Sequence, residues 1–266
     1  MNRPRAVTAQ FASPTPADRI WTGIGNWAAV TNWTPGGMPG PLDSVVISGG
    51  SVVLSDPVRI VNIAVTSSAS MTFSNWHGSL IANSIQALGT LTHAPCDAAA
   101  GSSSRVYIVC NDFKLPVGAL IDVTGKGYRQ MQGAGKGGTD YDFGSGGGGG
   151  YGGVGGHGFY AHPGAVGGPT YGISNAPVGP GSGGGTVAGG PGGGSVRIDA
   201  QARVTIDGVI NANGSNSASY NAGGGSGGAV WITCRRLAGG GSISANGGDQ
   251  APSVNKYGGG GGGGRI

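Results

Sequence analysis

Asp199 and Asp207 flank the apolar stretch Val204-Thr205-Ile206, with Arg197 and Arg203 close by in sequence. Two carboxylates on one face, or a carboxylate beside a basic side chain, would suit glycoside hydrolysis or polysaccharide lysis. The competing reading is turn capping, because Asp207 precedes Gly208 and Asp-Gly is a turn signal. His157 and His162, with Asp140 and Asp142, are the residues of metal-ligating type that come nearest to a cluster. A His-x4-His spacing inside a glycine loop is a poor match to a zinc site, so no metal and no cofactor are expected. Gly247-Gly248-Asp249 occurs once, without the nonapeptide repetition of calcium-binding solenoids. Gly125-x-Gly127 does not sit between a strand and a helix, which removes the phosphate-loop reading. No catalytic residue is expected. Binding has more support: Tyr151, His157, Phe159, Tyr160, His162 and Tyr171 are concentrated among glycines. Aromatics with few rotatable bonds on a rigid backbone make adaptable contacts; the alternative is that they cover the edges of a glycine layer.

These aromatics sit in a glycine tract that must itself be positioned. Most of the 61 glycines follow Thr124, and the tract ends in the run Gly258 to Gly264. There is no Gly-X-Y register and too little Pro for a collagen helix. A flexible linker is the compositional reading, but it has no reason to carry the apolar segments Ser195-Val196-Arg197-Ile198 and Ala229-Val230-Trp231-Ile232. Ordering a glycine costs roughly 0.5–1 kcal/mol more than ordering an alanine. Side chains cannot offset this, so backbone hydrogen bonding and close backbone packing must. Extended glycine segments packed side by side in a polyproline-II-like conformation meet both needs.

From residue 88 a repeat appears, a short strand and turn followed, after a loop of variable length, by a Val-x-Ile strand. Gly208-Val209-Ile210-Asn211-Ala212-Asn213-Gly214 matches Gly241-Ser242-Ile243-Ser244-Ala245-Asn246-Gly247, with Ile210 and Ile243 33 apart and Val196 and Val230 34 apart. One such pair per interval predicts coils of a parallel β-helix with the glycine insertions leaving from one face. Before it, residues 21–87 read as an irregular β-rich region, and residues 1–20 as an extended arm. Leu42 to Leu54 reads as two strands about the Gly49-Gly50 turn. Trp21, Trp27 and Trp33 read as caps of a core end, or as a carbohydrate platform.

All eleven acids are Asp, and with Lys also scarce almost no α-helix is expected. The formal charge of +4 reads as scattered, favouring neither nucleic acid nor membrane. No apolar run reaches the length of roughly 18 residues that a membrane span needs. Cys96, Cys110 and Cys234 are too few for a disulfide framework, although Cys96 and Cys110 would pair if the loop between them folds back. The opening residues contain no apolar signal core, so no secretory signal is expected.

The Ser-Ala-Asn-Gly-Gly turn, the tract Gly125-Lys126-Gly127-Tyr128 and Gly223 to Ile232 resemble glycine-rich β-helical repeats of bacterial surface proteins. Trp21-Thr22-Gly23-Ile24-Gly25-Asn26-Trp27 is similar to the start of such domains. The glycine runs punctuated by Tyr and His also resemble tip adhesins of phage tail fibres, whose glycine strands pack as polyglycine-II sheets. These resemblances imply a non-enzymatic structural or adhesive protein on a cell surface or virion, binding a surface glycan or protein. The alternative is a carbohydrate-active β-helical lyase or hydrolase. A homo- or hetero-oligomeric assembly is expected. The last copy reaches Arg265-Ile266 where its Val-x-Ile strand should begin. The stretch containing Val7, Ala9 and Phe11 is suited to complete a neighbour's open edge.

Overall fold

The computed structural model describes residues 18–141, 144–160, 162–163, 165–251 and 257–266, with the backbone alone for Tyr160, His162 and Pro163. The fold is all-β, and among the described residues a 3-10 turn at Val30–Asn32 is the single helical element. No helix there is long and apolar enough to cross a membrane. The first strands are β1 (Asp18–Asn26), β2 (Trp33–Thr34), β3 (Ser44–Leu54), β4 (Val58–Arg59), β5 (Asn62–Val65) and β6 (Ala69–Phe73). They are followed by β7 (Leu80–Ala87), β8 (Thr90–His93), β9 (Val106–Leu115) and β10 (Leu120–Asp122). Two short antiparallel pairs lie in the glycine tract: β11 (Thr139–Asp140) with β12 (Ser145–Gly146), and β13 (Phe159–Tyr160) with β14 (His162–Pro163). Then come β15 (Ser195–Ile206), β16 (Val209–Asn211), β17 (Ala229–Thr233), β18 (Arg236–Ala238) and β19 (Ser242–Ser244).

Eleven strands run side by side, all parallel, in the order β17-β15-β9-β7-β5-β3-β6-β8-β10-β16-β19, and the sheet curls into a half-barrel. The bend lies in β3, whose residues 44–47 pair with β5 and residues 50–54 with β6. This corrects the expected hairpin at Gly49-Gly50: the strand continues through the glycines and changes partner. Gly50 has φ +72°, and a Cβ on it would lie 2.0 Å from the Gly23 carbonyl oxygen of β1. Conformation and close approach both require glycine there.

Inward side chains stack in register across the strands. Val106, Val196 and Val230 form one row and Ile108, Ile198 and Ile232 the next. On the opposite arm Leu91, Ile121, Ile210 and Ile243 align. The intervals of 33 and 34 are therefore the distance from one layer to the layer above. The recurring Asn ties the backbones of successive layers together, as Asn213 Oδ1 accepts from the Asn246 N–H and Asn216 Oδ1 from the Asp249 N–H. Both arms close on one apolar core. Trp21, Trp27 and Trp33 are buried at its first end, with ring centroids 5.0 and 4.7 Å apart, in the edge-to-face arrangement that aromatic quadrupoles favour. All three cysteines are free, Cys96 and Cys110 among them.

The glycine tract is ordered by its own backbone. The N–H groups of residues 146 and 149 donate to Asn221 and Gly224, those of 147 and 150 to Gly138 and Gly135, and that of 148 to Gly156. Partners thus repeat every third residue. Residues 223–228 follow the same rule, with 223 and 226 donating to 185 and 182, 224 and 227 to 259 and 262, and 225 and 228 to 215 and 212. Gly190, Gly149, Gly248 and Gly193 in turn donate to the carbonyls of 223, 224, 225 and 226. A segment surrounded on all sides by other backbones has no room for side chains. A Cβ at Gly148, Gly223 or Gly259 would lie 1.9 Å from a backbone oxygen of a neighbouring segment. Their φ angles are not positive, so close approach rather than conformation demands glycine here.

His93 joins the layer to the sheet. It is fully buried; its Nε2 accepts from the Ser195 N–H at 3.0 Å, and its Nδ1 donates to the Ala94 carbonyl at 2.7 Å. That pattern requires the neutral ring with its proton on Nδ1. Burial, aided by the charge of Lys126 and opposed by the Ala94 hydrogen bond, lowers its pKa to about 4, the direction expected when a cation loses its hydration.

Candidate binding tip of the glycine layer

The hydrogen-bond register separates the two ends of the layer. Residues 223–228 lead directly into β17, so residue 228 lies at the sheet end. Segment 146–150 runs parallel to 221–224 and antiparallel to 135–138, and 182–185 runs antiparallel to 223–226. Residues 139–141, 144, 159–160, 162–163, 186–189 and 217–222, with Tyr257, therefore gather at the distal end. The turns at 151–154 and 169–180 return to the sheet end.

This splits the aromatic set. His157 and Phe159 are exposed toward the distal end, and the Tyr160 and His162 backbones pair there in the β13–β14 hairpin. Tyr151 and Tyr171 are at the other end. Tyr151 is 1% exposed and packs 4.8 Å from the Tyr171 ring, with the Arg265 guanidinium 5.6 Å above it. Arg265 also donates to the Tyr171 carbonyl at 3.2 Å. The Tyr171 hydroxyl donates to the Pro180 carbonyl and accepts from Ser182 Oγ at 2.9 Å. Burial raises the pKa of both phenols, so both stay neutral. Tyr151 is thus buried and Tyr171 half-buried against Arg265, whose backbone bridges to Ala229 of β17.

The distal end also carries large side chains that the sequence reading did not single out. Tyr141 is 81% and Val187 83% exposed, and Tyr220 and Tyr257 are exposed as well. Each stands between two glycine-rich runs, and that placement is the signal that marks them. Met131, Thr139, Asp140, Tyr141, Gly144, Thr186 and Val187 line a concavity of about 220 Å³ there. Two of its residues have positive φ, Met131 at 60° and the β-branched Thr186 at 70°. Such backbones are strained in non-glycine residues. The Thr186 N–H is held by Thr139 Oγ1 at 3.0 Å, while its own hydroxyl is buried without a partner.

The acidic candidates are not brought together. Asp199 binds Arg197 at 2.8 Å and accepts from the Thr233 hydroxyl, whereas Asp207, beyond the other end of β15, accepts from the Gly240 N–H in a turn. Among the described residues no three metal-ligating side chains converge; Asp142 lies outside them. Arg265 adds one parallel bridge to Ala229, and Ile266 is exposed beside it. Val7, Ala9 and Phe11 lie outside the described residues. Comparison with protein-family models, curated proteins and solved structures gave no match.

Proposed function

We propose that this chain is a non-enzymatic structural and adhesive protein of an exterior surface, cellular or viral, working as a subunit of a larger assembly. In this reading the curled sheet is a short β-solenoid and the layer is a polyglycine-II lattice, supported by the three-residue alternation of hydrogen-bond partners. The observation that carries the function is the distal end, where exposed large side chains stand on loops anchored by fixed glycine backbones. Such a scaffold presents contact residues at little entropic cost on binding. The partner is a cell-surface glycan or protein. The carbohydrate-active enzyme alternative has no converging carboxylates among the described residues in its favour.

The test is binding of the purified chain to whole cells and to a glycan array. Tyr141→Ser/Phe159→Ser/Tyr220→Ser should lose at least about tenfold in affinity, as hot-spot aromatics do, with its unfolding midpoint unchanged. Binding equal to the unmodified chain would remove the distal tip as the adhesive surface.

Assembly is supported by the two edges of the sheet: among the described residues the outer edge of β17 is covered only by the Arg265 bridge, and β19 pairs with β16 alone. Open parallel edges invite strand addition. A head-to-tail contact of this kind closes a ring or grows a filament. Removing residues 1–12 should lower the mass in solution; an unchanged oligomeric state, or a monomeric full chain at high concentration, would sink strand exchange through this arm.

A further inference from the structure

The outward face of the β7-β9-β15-β17 arm carries an excess of cations among the described residues. Arg59, Arg105, Lys114, Arg197, Arg203 and Arg236 occupy or flank its outward positions, against Asp112 and Asp199. These six cations and two carboxylates give the face a net charge of +4, where the described residues together hold 12 cations and 10 carboxylates. Arg235, in the bend before Arg236, is counted with the remainder. Cations that read as scattered along the sequence are therefore brought together on one sheet face, because strands distant in sequence stack their outward positions together.

Most of the cations on this face have no ion-pair partner among the described residues. Arg203 lies in direct register with Arg236 on one side and Asp112 on the other. Like charges directly opposed on neighbouring strands destabilise a sheet. Among the described residues, Arg197 alone of the six makes an ion pair. The rest of the face suits sugars. Arg105 stacks on Trp76 and Tyr107 at 4.5 and 4.4 Å, Arg197 stacks on Tyr107 at 4.9 Å, and Trp231 is the next residue in that row. Beside them Asn83 and Asn111 form an amide row, linked at 2.6 Å. Two concavities lie on this arm, one of about 360 Å³ lined by Arg59, Asn83 and Asn111 and one of about 210 Å³ lined by Asp112, Lys114 and Arg203.

We propose that this face binds an acidic polysaccharide along the stacked strands. Arginines pair with carboxylate or sulfate in planar, bidentate fashion, the amides and Asp199 take hydroxyls, and the half-buried Trp231 ring receives an apolar sugar face. Asp112 and Asp199 can accept from the free hydroxyls that a polysaccharide carries on each sugar and a DNA backbone lacks. This surface is separate from the distal tip, and the inference does not depend on the tip being adhesive.

The test measures binding of the full chain to fluorescent polygalacturonate and dextran sulfate, with neutral dextran and single-stranded oligo-dT as comparators, across a salt series. Binding to at least one acidic polysaccharide and none to dextran is expected; polygalacturonate against dextran sulfate separates carboxylate from sulfate recognition. Lys114→Gln/Arg203→Gln/Arg236→Gln should weaken binding about tenfold and make its salt dependence shallower. The matched triple Lys126→Gln/Arg129→Gln/Lys136→Gln, which lies off this face, should bind within about twofold of the parent. Absence of binding to both acidic polymers, equal loss in the two triples, or tighter binding of oligo-dT than of either polysaccharide would each overturn the proposal.

Discussion

Gly148→Ala should destabilise the chain by about 3 kcal/mol or more, the upper range for overpacking a close-packed interior. A Cβ at this position would sit 1.9 Å from the Gly260 oxygen, 2.4 Å from the Gly260 carbonyl carbon and 2.9 Å from the Gly259 oxygen. All three are backbone atoms, so no rotamer change makes room. The segments must part, and parting them stretches the bonds from Gly148 N–H to Gly156 and from Gly168 N–H to Gly148, both 2.8 Å. Gly263→Ala, in the terminal glycine run, is the contrast. Nothing lies within 4 Å of its Cβ position, and its φ is outside the left-handed region. The same substitution there should change stability by no more than about 0.5 kcal/mol, as at ordinary surface positions. Equilibrium denaturation of the two variants beside the parent decides the matter. A Gly148→Ala variant as stable as Gly263→Ala would mean that the layer is not packed backbone against backbone.

Stability should also fall as pH drops from about 6.5 to about 4, through His93. The folded ring resists protonation until about pH 4, while the unfolded ring takes a proton near its ordinary value of 6.5. Between these values the unfolded state binds more protons, so stability rises with pH across the window and is complete above it. The gap corresponds to on the order of 3 kcal/mol, lost as pH falls to 4. Protonation would force a second N–H against the Ser195 amide and part the first residue of β15 from the end of β8. His93→Gln keeps an acceptor for that amide without titrating. Urea denaturation at pH 7 and pH 4 should show the loss in the parent and most of it missing in the variant. The Asp97 carboxyl, held below its usual range chiefly by the Gln132 hydrogen bond, is common to parent and variant, so whatever it adds at the acid end cancels in the comparison. Equal losses in parent and variant would exclude His93 as the source.

Some of this architecture is legible in the residues alone. The Val and Ile positions 33 and 34 apart in sequence are vertical neighbours in the sheet, because a side chain that fills one layer of the core must be matched by the same type in the next. The Asn-Ala-Asn-Gly repetition is legible for a related reason: each copy performs the same backbone capping in its own layer. The order of the glycine tract follows from energetics, since so costly a composition needs backbone bonding to hold it. What the residues do not encode locally is which glycine segment lies beside which. A backbone hydrogen bond between two glycines leaves no pattern of side chains behind, so register is set only when the whole layer packs. That packing sends Tyr151 and Tyr171 to the sheet end and Tyr141, Phe159, Tyr220 and Tyr257 to the opposite one, although all six are tyrosine or phenylalanine near glycine. It also places His93 against an amide 102 residues away. The same holds for charge: Lys114, Arg203 and Arg236 are far apart along the chain and neighbours on one face, because connections of unequal length bring their strands into a common register.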